Sequence, residues 1–574
     1  MQYDLVIRDG TIVDGCGAAP RRGDVAVRGG VIAAVGSFHG AGWREIDAAG
    51  WLVTPGFIDV HTHYDGQAIW SDRLNPSSSH GVTTAVVGNC GVGFAPCREA
   101  DHEVLVDVMA GVEDIPGVVM TEGLTWDWET FPQFLDRLDA GRRDIDVAAL
   151  LPHSPLRVYV MGPRGAAREP ATAADLAQMR ALAAEAARAG ALGLASSRLT
   201  SHRTDSGQPI PSYEAAGTEI LEIARGIADG GGGLIQFVPD LPVGGYHRVL
   251  QPVFDAAHAT GLGVTFTLLI SNAGDPLWQE ALTLMEQANS AGGEVTAQVF
   301  PRPVGLMLGL ELTMNPFSLC PTYREIAQLP LAHRVALMRR PEVRAKILAD
   351  HPSDAASNPL FHLGRAWEWI FPIDDRANYE PDRADSILAR ASARGVTPLE
   401  EAYDRLLDDD GHAMLLGAMA NFTDTSLDTV GTLIRRDDVV LGLGDGGAHY
   451  GMICDSSYPT YLLTHWSRDR DTGRLSVAQA VQELTSTPAK VAGLLDRGRI
   501  AVGYKADLNV IDYAALRLHR PVVTHDLPGG GRRLDQAATG YVATIVSGEV
   551  IAEHDVPTDA RPGRLVRGRR PAPT

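Results

Sequence analysis

Cysteine is scarce in this chain. Cys16, Cys90, Cys97, Cys320 and Cys454 are five in 574 residues. An odd number so widely spread excludes a disulfide framework and makes buried thiols in a reducing compartment the default. No run of about 18 apolar residues occurs, so nothing reads as membrane-spanning. The start, MQYDLVIRDGTIVDG, lacks the basic and apolar regions of a signal peptide. A cytoplasmic protein is the expectation. Positive charge is also in deficit, with 50 Lys and Arg against 71 Asp and Glu and a net charge of −21. That argues against a general nucleic-acid binder, because phosphate contacts need clustered Lys and Arg. The one basic stretch, RPGRLVRGRRPAPT at 561–574, has the composition of a solvated, flexible tail. Neither GxGxxG nor a P-loop is present, so no nucleotide is assigned.

What is there reads as a large α/β enzyme. Hydrophobic residues make up 45% and charged residues 21%, enough for a substantial core. The first fifty residues are short β-branched runs broken by glycine-containing turns, such as GDVAVRGGVIAAVG, and read as antiparallel strands. The same texture returns around 506–551, so both ends of the chain are expected to close one small sheet domain.

Between them, apolar strand-like runs alternate with helical patterns. Candidate strands lie at 57–61, 82–88, 146–151, 191–196, 234–238, 263–270, 294–300 and 438–444. Their near-continuous hydrophobicity implies burial on both faces. One helix is legible in detail. Thr172 and Asp175 resemble a capping box, Leu176, Met179, Ala183 and Ala186 form a stripe, and Gly190 suits the position after the helix. Eight such units predict a (β/α)8 barrel. The gap at 301–437 is too long for one connection and is expected to hold a helical insertion over the barrel mouth, with LAHRVALMRRPEVRAKILADH and TPLEEAYDRLLDDDGHAML as helices. The expected divisions are a β-sandwich from 1–54 and 487–560, a barrel from 55–486, and the tail from 561.

Barrel active sites lie at the C-terminal strand ends. GFIDVHTH puts His61 and His63 at that end of the first strand, and with a period of two both imidazoles leave the same face. They are half of a zinc site or, read alone, two polar residues in a turn. Cys90 in GNCG is either a thiolate ligand or one more small buried hydrophobe. Asp445 in GLGDGGAH is either a base for activated water or a turn residue. His153, His202 and His449 lie near strand ends as substitute ligands, substrate contacts or structural histidines. Arg302 could grip a substrate carboxylate or serve an internal ion pair.

TPGFIDVHTHYDGQ resembles the first-strand signature of the amidohydrolase superfamily, and GYKADLNVID its small β-sandwich. GVTTAVVGNCGVGFAP, GVEDIPG, GALGLASSRLTSHR and GDGGAHYGMICDSS resemble the D-aminoacylases, which deacylate N-acyl-D-amino acids. The resemblance implies metal ligation by His61 and His63, with Asp445 sharing the ion and Cys90 as a fourth ligand. It also implies that Asp445 takes the proton of the attacking water and passes it to the leaving nitrogen. It implies a divalent metal, zinc first, and a small acylated amino-acid-like substrate. The sequence departs from the superfamily in having no histidine at the ends of the fifth and sixth strands, where Gln236 and Asp240, or Thr267, Ser271 and Asn272, stand instead. Nor is there a fourth-strand lysine; Arg198 and His202 lie there. Two rival readings follow: an atypical, metal-poor site running another hydrolysis or a lyase reaction, and a non-catalytic scaffold. Homo-oligomer formation is an open option.

Overall fold

The apolar runs become short parallel strands. In the computed structural model, which describes residues 2–240, 245–352 and 359–574, they are Phe57–Asp59, Val82–Val87, Asp146–Ala149 continued by Leu151–Pro152, Gly193–Ser197, Leu234–Val238, Gly263–Thr267, Val295–Val299 and Val439–Leu441. Each pairs in parallel with its neighbours in chain order. The third strand is interrupted at Leu150, whose N–H donates to Val87 O at 2.9 Å, while Leu192 N donates to Ala149 O at 2.8 Å. Just beyond the last strand, Asp445 N donates to His61 O at 3.0 Å, and His63 N donates to Gly446 O at 2.8 Å. The architecture is mixed α/β, with helices following most of the strands.

Local signals set the helix boundaries. The helix Ala173–Ala189 starts at the Thr172/Asp175 capping box and stops at Gly190, where φ is 117°. Its buried residues are Met179, Ala183, Ala184 and Ala186, and Leu176 is only partly covered.

The two ends of the chain meet in one nine-stranded sheet. Leu52–Pro55 pairs on one side with Gln2–Ile12 and on the other with Leu508–Ile511. The expectation of antiparallel pairing holds only in part, because Gln2–Ile12 runs parallel to both Ala41–Asp47 and Leu52–Pro55. Residues 517–539 leave this sheet as two small ladders, Arg517–Leu518 with Ala538–Thr539 and Val522–Thr524 with Arg533–Asp535.

The insertion is not purely helical. Val304–Gly309, Met414–Ala420 and Ile370–Ile373 form an antiparallel sheet with its own apolar cluster, which includes Leu308, Phe317, Ile370, Tyr403 and Leu406. The expected helix at 331–351 splits into Leu331–Met338 and Pro341–Ala349, because Pro341 starts a new first turn. Residues 353–358 of the insertion lie outside those described.

The C-terminal stretch is bound rather than solvated. Gly563 N donates to Arg143 O at 2.9 Å, Val566 N to Val147 O at 2.7 Å, and Arg570 N to Gly493 O at 2.8 Å. Leu565 and Val566 are buried, and Arg567 reaches Asp136 at 2.7 Å. Leu565 and Val566 dock between the arginines, and composition alone does not register the backbone pairings around them. Among the described residues no helix is long and apolar enough to cross a membrane.

A buried charge network joins the terminal sheet region to the parallel strands. Arg497 Nη1 donates to Asp146 Oδ2 at 2.7 Å and to Thr84 Oγ1 at 3.0 Å, and Lys505 Nζ lies 3.0 Å from Asp146 and 2.6 Å from Asp507. Burial would raise the Asp146 carboxyl, but the Lys505 and Arg497 cations overcome it and hold the group at about 2. Removing one partner of such a set strands the others without compensation. Arg497→Met should therefore destabilise by about 3–5 kcal/mol in urea denaturation, and adding Asp146→Asn should recover part of the loss.

Candidate metal centre

Two loops rich in glycine bring distant side chains to the end of the first strand. The 88–91 loop is pinned by Asn89, whose Nδ2 donates to Val86 O at 2.8 Å and Thr62 O at 3.2 Å. It holds Cys90 at a φ of 56° with its N–H donated to Gln236 Oε1 at 2.9 Å. The 444–447 loop lies directly on the His-Thr-His segment. At Gly444 a Cβ would sit 1.9 Å from Asp59 Oδ2, and at Gly447, where φ is +87°, one would sit 2.8 Å from the His63 backbone. Only glycine permits this approach.

The result is a cluster of donors. Ligand atoms of His61, His63 and Cys90 all lie within 4.8 Å of one another, and all three residues are buried. Cys90 Sγ is 3.3 Å from His61 Nε2 and 3.8 Å from His63 Nε2. Asp445 Oδ1 approaches the same two nitrogens at 3.5 and 3.6 Å. Four atoms of zinc-ligand type thus face one another: two imidazole nitrogens, a sulfur and a carboxylate oxygen.

The electrostatics suit a cation. Burial depresses the imidazoles, His61 to about 4 and His63 to about 3, so both are neutral, the form that ligates. Burial pushes the Cys90 thiol well up, and Glu113, Asp445 and Asp65 add to the shift. Glu113 is likewise raised by burial, then by Asp445 and Asp65. Asp65 is raised to about 7 and Asp59 to about 8, in both cases chiefly by burial. Acidic groups crowd together here, and a bound divalent ion reverses that penalty.

The chain also orients its own donors. Asp59 Oδ1 accepts from His61 N at 3.0 Å, and Gln298 Oε1 lies 2.7 Å from His61 Nδ1. With the amide oxygen as acceptor, the proton sits on Nδ1 and the Nε2 lone pair faces Cys90 and Asp445. Glu113 ends the helix His102–Glu113. Its carboxylate lies 3.3 Å from His63 Nδ1 and 3.4 Å from His449 Nε2. Sequence reasoning missed Glu113 and Gln298. The available signals were an amide side chain within a mostly buried strand and an acid at a helix C-terminus, where the dipole disfavours it.

The other expected residues divide. His449 stands beside His63, with ring centroids 6.4 Å apart, and burial depresses it to about 4. His202 bonds Ser197 Oγ at 2.8 Å, and burial, followed by His449, His63 and His61, depresses it to about 3. His153 is not gathered with these groups. It bonds Ser196 Oγ at 2.9 Å and Glu219 at 2.8 Å, and Glu219 also pairs with Arg157. Arg302 is engaged by Ser457 Oγ at 2.9 Å, Cys454 O at 2.5 Å and Asp455 at 2.7 Å, and stacks over Tyr379 at 4.0 Å. It anchors the loop after the cluster. At the fifth and sixth strands Gln236, Thr265 and Thr267 are buried, with Gln236 Nε2 and both threonine hydroxyls lacking hydrogen-bond partners. Asp240 bonds Thr200, Asn272 bonds Ala418 O and Ser271 pairs with Ala420, so these three serve loop structure.

The insertion reaches the segments around this cluster. Thr313 bonds Asp114 at 2.9 Å and Met307 N donates to Met452 O at 2.7 Å, tying it to the loops that carry Glu113 and His449.

Comparison with known proteins places these features in context. The sequence profile described as the amidohydrolase family matches residues 44–552. An uncharacterized protein of Mycobacterium tuberculosis is 30% identical over 96% of this chain and 92% of its own length. The N-acyl-D-glutamate deacylase of Alcaligenes xylosoxydans xylosoxydans is 27% identical over 99% of this chain and 97% of its own. Among solved structures, a D-aminoacylase described as defining a novel subset of amidohydrolases is 25% identical with a TM-score of 0.64, covering 98% of this chain and 100% of that one.

The close seating of the 444–447 loop is open to test. Gly444→Ala puts a methyl group against Asp59, which holds the His61 backbone. Thermal and urea unfolding should show a loss of about 1–3 kcal/mol from overpacking.

Proposed function

Since the chain belongs to the amidohydrolase family, we propose that it is a metal-dependent hydrolase of amide or related non-peptide C–N bonds that deacylates a small N-acyl (D-)amino-acid-like substrate. The observation that carries this reading is the convergence of His61, His63, Cys90 and Asp445 at one strand end. In the same reading the eight parallel strands close into a barrel through the backbone bonds between residues 61–63 and 445–446. The four residues would hold one divalent ion, and a thiolate with two imidazoles favours zinc. When bound, such an ion supplies Lewis acidity and lets water act as a nucleophile at neutral pH.

The chain's own residues do the rest. Asp445 accepts the proton of the attacking water on a carboxylate oxygen and returns it to the leaving nitrogen. Gln298 and Asp59 keep the His61 ring and backbone in place. The loops at 88–91 and 444–447 shield the site from bulk water, leaving both imidazoles buried. The insertion, tied to residues 114 and 452, forms part of the wall that admits substrate. Five unpaired thiols fit a reducing, cytoplasmic setting.

Elemental analysis should find about one divalent ion per chain, and His61→Ala and Cys90→Ala should each lose it. Metal-free wild-type protein with full turnover would overturn the reading. Asp445 adopts a φ of 48°, which asparagine tolerates, so Asp445→Asn should fold normally. On a panel of N-acetyl-D-amino acids its kcat/KM should fall by about 10²–10⁴-fold. A scaffold would show no turnover in either protein.

A further inference from the structure

Glu113 is fully buried, yet neither of its carboxylate oxygens has a regular hydrogen-bond partner among the described residues. Their nearest basic neighbours are two imidazoles from different parts of the chain: His63 Nδ1 at 3.3 Å from Oε1 and His449 Nε2 at 3.4 Å from Oε2. His63 Nδ1 is itself buried and otherwise unpartnered. The backbone fixes the arrangement, since His449 N also donates to Glu113 O. The charges that act on Glu113, those of Asp445 and Asp65, are both of its own sign. A carboxylate in such a position destabilises the fold unless something positive lies near.

We infer that Glu113 is a positioning residue for the metal centre. It takes the proton of His63 Nδ1, which turns the Nε2 lone pair towards Cys90 and Asp445, and its negative charge strengthens His63 as a ligand. His61 receives the same service from a neutral group, the Gln298 amide at 2.7 Å. The two ligands are therefore oriented by unlike partners, and only the His63 side carries charge. A carboxylate–histidine–metal relay of this kind raises ligand basicity, and its loss weakens metal binding by about 10–100-fold. The same carboxylate holds His449 through its second oxygen, so one side chain sets two rings at the site. This inference rests on the metal reading proposed above.

The test compares metal-free wild-type, Glu113→Gln and Glu113→Leu proteins. Zinc affinity is measured by competition with a chelating dye, and thermal stability is measured without metal. Glu113→Leu should bind zinc about 10–100-fold more weakly. Its metal-free melting temperature should be equal to or above that of wild type, because a buried carboxyl group without regular hydrogen-bond partners gives way to an apolar side chain. Glu113→Gln, a neutral acceptor like Gln298, should fall between the two in affinity. Zinc binding by Glu113→Leu as tight as wild type overturns the inference while leaving the metal reading intact. A drop in metal-free stability that accounts for the weakened binding also overturns it, by making Glu113 merely structural. Failure of wild type itself to bind zinc overturns the metal reading instead.

Discussion

The structure turns on two backbone hydrogen bonds, from Asp445 N to His61 O and from His63 N to Gly446 O. They stitch the loop after the last parallel strand to the end of the first, across nearly 400 residues of intervening sequence by the numbering. Three donors of the cluster, His61, His63 and Asp445, take their place from that seam. The glycines at 444 and 447 allow the two segments to touch, and the contact leaves His61, His63 and Asp445 with no room to turn away. A side chain at Gly444 would meet Asp59, and one at Gly447 the His63 backbone, so either would force the two segments apart.

Around the seam the protein concentrates groups that repel one another. Asp445 and Asp65 act on both Glu113 and Cys90 through a medium from which water is largely excluded, and burial is the largest cause that raises Asp65, Glu113 and Cys90. Elsewhere the chain handles buried acids differently. Asp146 is given Arg497 and Lys505, and Glu219 is given Arg157 and His153. The contrast between these satisfied networks and the strained one at the strand ends fits the division between residues that support the fold and those given to the proposed chemistry. It also explains why Arg302 and His153, prominent in the sequence, do not join the cluster: their hydrogen bonds are already committed to neighbouring loops and helices.

How much of this could be read from the residues depended on how local the signal was. The histidine pair and the aspartate sit in short motifs whose spacing and glycines carry their own geometry, and the helix from Ala173 announces both of its ends. Glu113 lay unremarked inside the quoted stretch GVEDIPG and Gln298 inside a strand, because the role of each arises from which strand or helix lies opposite, a property of the assembled fold. Met414–Ala420, rich in residues that favour helix, pairs as a central strand in the insertion because neighbours on both sides supply hydrogen bonds. The residues from 561 were misjudged for a related reason. Arginine and proline suggested solvation, while Leu565 and Val566 found a buried backbone to bond.

The nine-stranded sheet has a consequence for how the molecule comes into being. Leu52–Pro55 finds its second partner only in Leu508–Ile511. Until that late segment emerges during synthesis, the early strands present an open edge, the kind of surface on which chains stick to one another. Such long-range pairing closes slowly. Production of this protein is thus most sensitive to conditions in the interval between making its first fifty residues and its last seventy, when crowding and temperature decide between maturation and aggregation.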